Sequence, residues 1–254
     1  MNDALGDRMK DYYEGRTKYF LPRRTFTIIR VDGKAFHTYT RGLVRPFDDK
    51  LMSDMDETAA FLCKNIQGSK FAFVQSDEIS IVMTDFDELQ TDAWFDGNIQ
   101  KIVSVSASLA TGRFNELRPG KMANFDARVF TIPSEIEVLN YFIWRQQDTT
   151  RNSIQAVAYY LYSQKELHGK HVDQMQEMIF QKGINWNDYA AKYKRGRVIE
   201  KQSYDKDGAV RTRWVSVDPP IFTQDREFLK SRLAPKAAPS PSTEKEQMNP
   251  QPNT

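Results

Sequence analysis

Apolar residues in the first half of the chain follow two different periods. Four segments carry them at spacings of three and four, which predicts helices at 3–18, 34–41, 48–67 and 95–111. Four shorter segments are rich in β-branched and aromatic residues, which predicts strands at 25–31, 71–75, 78–84 and 126–131. The main elements therefore run strand, helix, two strands, helix, strand. This βαββαβ order predicts a ferredoxin-like core within an α+β (α/β) fold.

The second half carries a different pattern. Helical spacing predicts one long or broken helix at 134–163 and shorter helices at 172–182 and 186–194. Strands at about 197–204 and 209–217 are joined by Asp-Lys-Asp-Gly, which predicts a C-terminal β-hairpin. From 234 to 254 the chain is rich in Pro, Ser, Glu, Gln and Asn, which predicts a disordered tail. We expect three parts: a core at 1–133, a helical and hairpin portion packed on it at 134–233, and the tail.

Bulk composition narrows the class of protein. The 36 basic and 34 acidic residues leave a formal charge of +2, so any basic surface must be local. The single cysteine, Cys63, excludes an internal disulfide and a cysteine-based zinc site. No apolar run approaches the ~18 residues of a membrane span, and the N-terminus lacks the apolar core of a signal peptide. We expect a cytoplasmic protein without membrane association.

Carboxylates follow two apolar strands of the predicted core. Asp32 ends the first strand, and Asp77 and Glu78 lie between the two strands of a tight hairpin. The βαββ order places these acids side by side although they are far apart in sequence. Neighbouring carboxylates are what a two-metal site needs to hold Mg²⁺ against a triphosphate. Polymerase palms are built on the same unit, so the pattern indicates a nucleotidyl-transfer enzyme with a palm-like core.

Several motifs resemble those of the tRNA-histidine guanylyltransferase family. They are RVDGKAFH at 30–37, RP at 45–46, QSDE at 75–78, WRQQD at 144–148 and QKGINW at 181–186. The resemblance runs from near the N-terminus to about residue 230. It implies an enzyme that activates the 5′-phosphate of tRNA with ATP and then adds nucleotides from triphosphates to the 5′ end, releasing pyrophosphate. It also implies two Mg²⁺ ions, ATP and GTP or other nucleoside triphosphates as substrates, and a homotetramer.

The resemblance also assigns roles to particular residues. Asp32 and Asp77 would ligate the metal ions with help from the Gly33 carbonyl, and Glu78 would support catalysis. The predicted triphosphate contacts are Lys34, Ala35, Phe36, His37, Arg45, Ser76 and Lys101. A basic stretch with interleaved aromatic residues at 192–213 suits RNA. The predicted RNA contacts are Arg151, Asn152, Lys182, Lys194, Arg195 and Arg197.

One segment departs from the eukaryotic members of that family. Where they carry a His-Ile-Asn-Asn-Leu-Tyr-Asn stretch, residues 150–156 here read TRNSIQA. The chain therefore resembles the bacterial and archaeal-type branch of 3′–5′ polymerases, which implies template-dependent repair of 5′-truncated tRNA. The alternatives are a non-templated guanylyltransferase specific for tRNA-histidine, a nucleotidyl cyclase with a related palm, and a non-catalytic RNA-binding module.

Overall fold

The computed structural model describes residues 3–234. The strands are β1 (Phe26–Gly33), β2 (Ser69–Gln75), β3 (Glu78–Met83), β4 (Phe125–Ile132), β5 (Arg197–Lys206) and β6 (Ala209–Val217). The helices are α1 (Ala4–Met9), α2 (Phe36–Tyr39), α3 (Asp49–Asn65), α4 (Ile99–Leu117), α5 (Glu135–Leu161), α6 (Gln164–Leu167), α7 (Val172–Gln181), α8 (Ala191–Arg195) and α9 (Glu227–Leu233). Short helical turns lie at Lys10–Glu14, Gly15–Thr17, Trp94–Gly97 and Trp186–Asp188.

The six strands form one antiparallel sheet in the order β4-β1-β3-β2-β5-β6. The first four strands in that order reproduce the ferredoxin-like arrangement, so the predicted α+β core is confirmed. The C-terminal hairpin, β5 and β6, joins the same sheet beside β2. One sheet therefore runs through the segments 1–133 and 134–233, whose treatment as separate parts stays a prediction.

Helices cover the sheet on both faces because successive strand residues point to opposite sides. On β1, Ile29 and Val31 pack into a core with α3 and α4, whereas Ile28 packs with α5 and α9 on the other face. Every residue of β3 is buried, as expected for a central strand covered twice. Asp32 points to the same side of the sheet as Ile28, because even-numbered residues of β1 share one face. Its carboxylate therefore lies on the α5 side.

A small helical layer extends from the C-terminal half of α5. There Ile154, Val157, Ile179 and Trp186 form a third core. The indole Nε1 of Trp186 donates to the hydroxyl of Ser153 at 3.1 Å, which satisfies the buried polar end of the ring. This layer holds α7 and α8 against α5 near the start of β5.

Some predicted boundaries were wrong for identifiable reasons. Helix α4 begins at Ile99, not 95, because Phe95 and Asp96 have positive φ and the Asn98 side chain caps the helix by accepting from the Lys101 N–H. The helix predicted at 186–194 is two short turns separated by extended backbone at Tyr189 and Ala190. Helix α5 is unbroken, and α9 was not predicted.

The structure describes the first helical segment but almost none of the predicted tail. The predicted tail at 234–254 lies outside the described residues except for Ala234. The first helical segment, Ala4 to Thr17, contains no buried residue. Across 3–234, no helix combines the length and apolar character needed to cross a membrane.

Candidate active site

Three acidic residues form a row across neighbouring strands. Asp32 on β1 lies opposite Glu78 on β3 and opposite Asp126 on β4. Opposed residues in an antiparallel pair point to the same face, so the three side chains share the α5 side of the sheet. The N–H of Gly33 donates to the Asp77 carbonyl at 3.2 Å, which ties the end of β1 to the β2–β3 turn. The structure therefore brings Asp32, Gly33, Asp77 and Glu78 together.

The surroundings of Asp77 disfavour the ionised form of its carboxyl group. Burial, together with the negative charge of Asp32, raises the pKa of Asp77 from its ordinary value of 3.8 to about 6. Against this excess of negative charge, the single ion pair of Asp32 among residues 3–234 is a distant contact with Arg128, at 3.9 Å. Two close carboxylates with so little compensating charge favour binding of a cation from solution.

The donors present fit Mg²⁺ held jointly by protein and substrate. Within the described part of the chain, no three His, Cys, Asp or Glu side chains are grouped to hold a metal ion by themselves. Mg²⁺ does not require such a cage, because it binds through one or two carboxylates and completes its octahedron with water and substrate phosphates. Asp32 and Asp77 supply those carboxylates, and the Gly33 carbonyl is an oxygen donor of the right type.

Glu78 has a different environment from the two aspartates. It is buried, and its carboxylate accepts two hydrogen bonds from Arg145, each at 2.8 Å. Ser80 and Gln75 donate to the same group at 3.2 Å. The catalytic role of Glu78 stays a prediction, but its oxygens are already occupied within the protein. Arg145 was missed as a site residue, although an arginine on the inward stripe of α5 signals a buried partner.

The backbone after β1 has the shape expected of a phosphate-binding loop. A Cβ on Gly33 would lie 2.2 Å from the Phe36 ring, so only glycine allows that ring to pack here. Ala35 has a φ of 55°, an unfavourable value for a residue with a Cβ. Backbone strain of this kind clusters at ligand sites. Lys34, Ala35 and His37 are exposed, whereas the Phe36 side chain is buried and anchors the loop.

Not every backbone donor of that loop is available. The N–H of Lys34 already donates to the Asn124 carbonyl at 2.8 Å. The predicted phosphate contacts of Lys34 are therefore left to its exposed side chain. The backbone contacts predicted for Ala35, Phe36 and His37 stay predictions.

A cavity of about 180 Å³ opens beside the β2–β3 turn. Ser76, at the tip of the turn, has a φ of 47° and lines this cavity together with Phe47, Asn152 and Tyr193. Arg45 is exposed and immediately precedes the Pro46 and Phe47 that line the same cavity. A lining of aromatic and polar side chains suits a nucleobase.

Lys101 is not brought to this site. It lies in the first turn of α4, and its neighbour Ile99 donates to the Tyr19 carbonyl at 3.0 Å, beside the start of β1. Six residue steps of β1 place Phe26, at that end, about 20 Å from Asp32. A triphosphate contact by Lys101 stays a prediction, and its place near the opposite end of β1 separates it from Asp32 within one chain.

The six predicted RNA contacts fall into two groups. Arg151, Asn152 and Lys182 are exposed, although Arg151 is ion-paired with Asp148. Arg195 is partly exposed. In contrast, Lys194 is buried and donates to the Asn187 carbonyl at 2.5 Å, and Arg197 is buried with its Nε 2.8 Å from Asp56. RNA contact by the buried pair stays a prediction, but both cations already hold the protein together.

Comparison with known proteins gives one consistent family. Residues 6–133 match Thg1, the tRNAHis guanylyltransferases. A bacterial tRNA(HIS) guanylyltransferase (Thg1)-like protein in complex with ATP is 43% identical, with a TM-score of 0.82 over 91% of this chain and 99% of that one. A complex with GTP gives 44% identity, a TM-score of 0.81 and the same coverage. The probable tRNA(His) guanylyltransferase of Dictyostelium discoideum is 29% identical over 205 residues, 72% of this chain and 77% of the relative.

Proposed function

The chain belongs to the tRNAHis guanylyltransferase (Thg1) family and is a guanylyltransferase-like nucleotidyltransferase, and from this premise we propose that it repairs 5′-truncated tRNA by metal-dependent, templated 3′–5′ nucleotide addition. The observation that carries the metal-dependent step is the proximity of Asp32 and Asp77: the Gly33 N–H donates to the Asp77 carbonyl, and the Asp32 charge contributes to the raised pKa of Asp77. Divalent cations bound there would neutralise charge on the attacking and leaving oxygens during displacement at phosphorus.

The chain's own residues would position the reacting groups. The exposed loop after Gly33 would hold the triphosphate against the two aspartates, and the cavity beside Ser76 would hold the base of the activating nucleotide. In the first step, a 5′-phosphate oxygen of the RNA attacks the α-phosphorus of ATP and pyrophosphate leaves. In the second, the 3′-hydroxyl of an incoming nucleotide attacks the phosphorus of the activated 5′-phosphate, its proton passes to solvent and AMP leaves. The ATP and GTP complexes of the bacterial relatives support nucleotide binding.

Template dependence is supported by the segment that departs from the eukaryotic members. Thr150, in place of their histidine, donates its hydroxyl to the Lys194 carbonyl at 3.1 Å, so it joins α5 to α8 within the protein. Ala156, in place of their final asparagine, lines the cavity with no polar group. These two positions therefore add no polar side-chain contact that could select guanine. Base pairing with the opposing tRNA strand would select the nucleotide instead.

The opposing base provides the test of templated repair. A 5′-truncated tRNA is supplied with each labelled triphosphate, and the base opposite the missing position is changed in turn. We expect the added nucleotide to change with the opposing base. Guanosine addition at similar efficiency opposite every base would refute repair and favour a histidine-tRNA-specific guanylyltransferase. Product formation from triphosphate without any RNA would instead indicate a cyclase.

The homotetramer remains part of the proposal and is supported by the first helical segment. Leu5, Tyr12 and Tyr13 are each more than 60% exposed there. A helical segment this short is not stable on its own in water, so it requires a packing surface. Light scattering on the full chain should give four times the monomer mass, and Leu5→Glu with Tyr12→Glu should lower it. A monomeric wild-type protein would refute the proposal.

A further inference from the structure

Glu78 is within reach of the metal-binding aspartates yet does not point to them. It lies directly opposite Asp32 and follows Asp77 in sequence. Opposed residues of an antiparallel pair have Cβ atoms about 4.5–5.5 Å apart, a gap that a glutamate side chain can span. An unrestrained Glu78 could therefore join the two aspartates as a third carboxylate around a bound cation.

Arg145 holds Glu78 away from that position. Its Nε donates to one carboxylate oxygen and its Nη2 to the other, both at 2.8 Å, in the two-pronged geometry that fixes a carboxylate plane. Both side chains are close to 90% buried or more. The guanidinium is fixed in turn by Asp148, whose carboxylate accepts from Nη2 at 3.0 Å. Neither member of the pair can turn without breaking several bonds.

Additional donors complete the surroundings of Glu78. Ser80 and Gln75 donate to the oxygen that also faces the Arg145 Nε. Gln75 is fixed by a short hydrogen bond from the Thr149 hydroxyl, one turn along α5 from Arg145. The Nε of Arg30 lies 3.9 Å from the other oxygen. The end of β2 and the start of β3 are thus both attached to α5, on either side of the turn that carries Asp77.

We propose that Arg145 is a positioning residue, which keeps the Glu78 carboxylate out of the metal site so that only Asp32 and Asp77 face the cations. This inference rests on the proposed metal-dependent function. A third carboxylate would bind Mg²⁺ more tightly but would take a coordination position that the triphosphate needs. The ion pair therefore keeps positions around the cations open for substrate.

Three substitutions separate positioning from ligation. Arg145→Met frees Glu78, Glu78→Gln removes its charge, and the double variant Glu78→Gln/Arg145→Met replaces the pair with two neutral side chains of similar size. The neutral pair leaves no unpaired buried charge, so it carries the test if Arg145→Met does not fold. Arg232→Met is the matched control, because Arg232 pairs with Glu200 at 2.6 Å on α9, away from the turn.

The first assay measures the affinity of the full chain for Mn²⁺ by electron paramagnetic resonance without nucleotide. Loss of a residue with a merely structural role would not change that affinity. We expect Arg145→Met to bind Mn²⁺ at least threefold more tightly than wild type, and the double variant to bind within twofold of wild type. In tRNA extension, Arg145→Met should lower kcat at least tenfold with little change in KM for RNA. Arg145→Lys should recover part of that loss, and Arg232→Met should match wild type in both assays.

Two results would overturn the positioning role of Arg145, and a third would refute the metal-dependent function itself. Weakening of Mn²⁺ binding by tenfold or more in the folded double variant would show that Glu78 is itself a ligand and overturn the inference. So would a kcat for folded Arg145→Met within twofold of wild type. A wild-type protein that binds no Mn²⁺ and extends no tRNA would instead refute the metal-dependent function, which is a distinguishable result.

Discussion

Replacing Asp77 by asparagine should stabilise the metal-free protein while abolishing its activity. Burial and the charge of Asp32 raise the pKa of Asp77 from 3.8 to about 6. A raised pKa means that the folded state disfavours the ionised carboxylate, so ionisation lowers the free energy of unfolding as pH rises through this interval. Asparagine has nearly the same shape and carries no charge, so it removes that penalty.

The expected size follows from the shift. The difference of about 2.2 pH units, 6 − 3.8, corresponds to about 3 kcal/mol at pH 7.5 as an upper bound. Asp77 keeps part of its surface in contact with water, so screening reduces the gain to about 1–3 kcal/mol. For a protein of this size that is a rise in melting temperature of roughly 2 to 10 °C.

Thermal unfolding in EDTA, at pH 7.5 and at pH 4, measures the effect. Asp77→Asn should melt above wild type at pH 7.5, and most of the gain should be lost at pH 4, where Asp77 is neutral in the folded protein. Mg²⁺ should raise the melting temperature of wild type more than that of the variant, because a ligand stabilises the state that binds it. The exposed Glu88→Gln serves as the control. A variant less stable than wild type at pH 7.5 in EDTA would refute the reasoning.

Three further predictions concern the site and the fold. Asp32→Ala should lower nucleotide addition at least ~100-fold while the protein stays folded, since a lost metal ligand removes transition-state stabilisation; near-normal turnover with Mg²⁺ would contradict the metal site. Gly196→Ala should lower the free energy of unfolding by about 1–3 kcal/mol in urea, because Gly196 has a φ of 76° and an added Cβ would lie 2.6 Å from the Phe73 ring. The control Gly208→Ala has a similar φ but open space around the added Cβ, so it should be less destabilising. Truncation after residue 233 should leave melting temperature and activity unchanged, and a large loss of either would show that 234–254 docks on the body or the RNA.

The order of strands and helices in the core could be predicted from the sequence, because the patterns that specify these elements are local. Short runs rich in β-branched and aromatic residues identified the strands, and the βαββ order placed Asp32 beside the turn with Asp77 and Glu78, as observed in the register of β1 and β3 and in the Gly33–Asp77 hydrogen bond. Helix α9 was missed because it is a single short stretch next to a polar tail. Its burial of Leu229 and Leu233 depends on contacts with the β2 and α5 side of the sheet.

The sequence could not predict which carboxylate pairs with each buried arginine. Counting charges at 192–213 suggested an RNA surface, but Arg197 begins a buried stretch of β5 and pairs with Asp56, 141 positions earlier. Which carboxylate Arg145 meets depends on how α5 crosses β3. Periodicity could have placed Arg145 on the inner stripe of α5 and so required a buried partner, yet it could not have named Glu78.

The order of strands has a consequence for how the protein comes to be active during synthesis. Asp32 needs β3 on one side and β4 on the other, and β4 is contributed by residues about a hundred positions later. The restraint on Glu78 arrives later still, with residue 145. Such long-range contacts form slowly compared with local ones. A ribosome must therefore release α5 as far as Arg145 before the nascent chain can hold its acids in the arrangement described, so no shorter nascent segment carries the full arrangement.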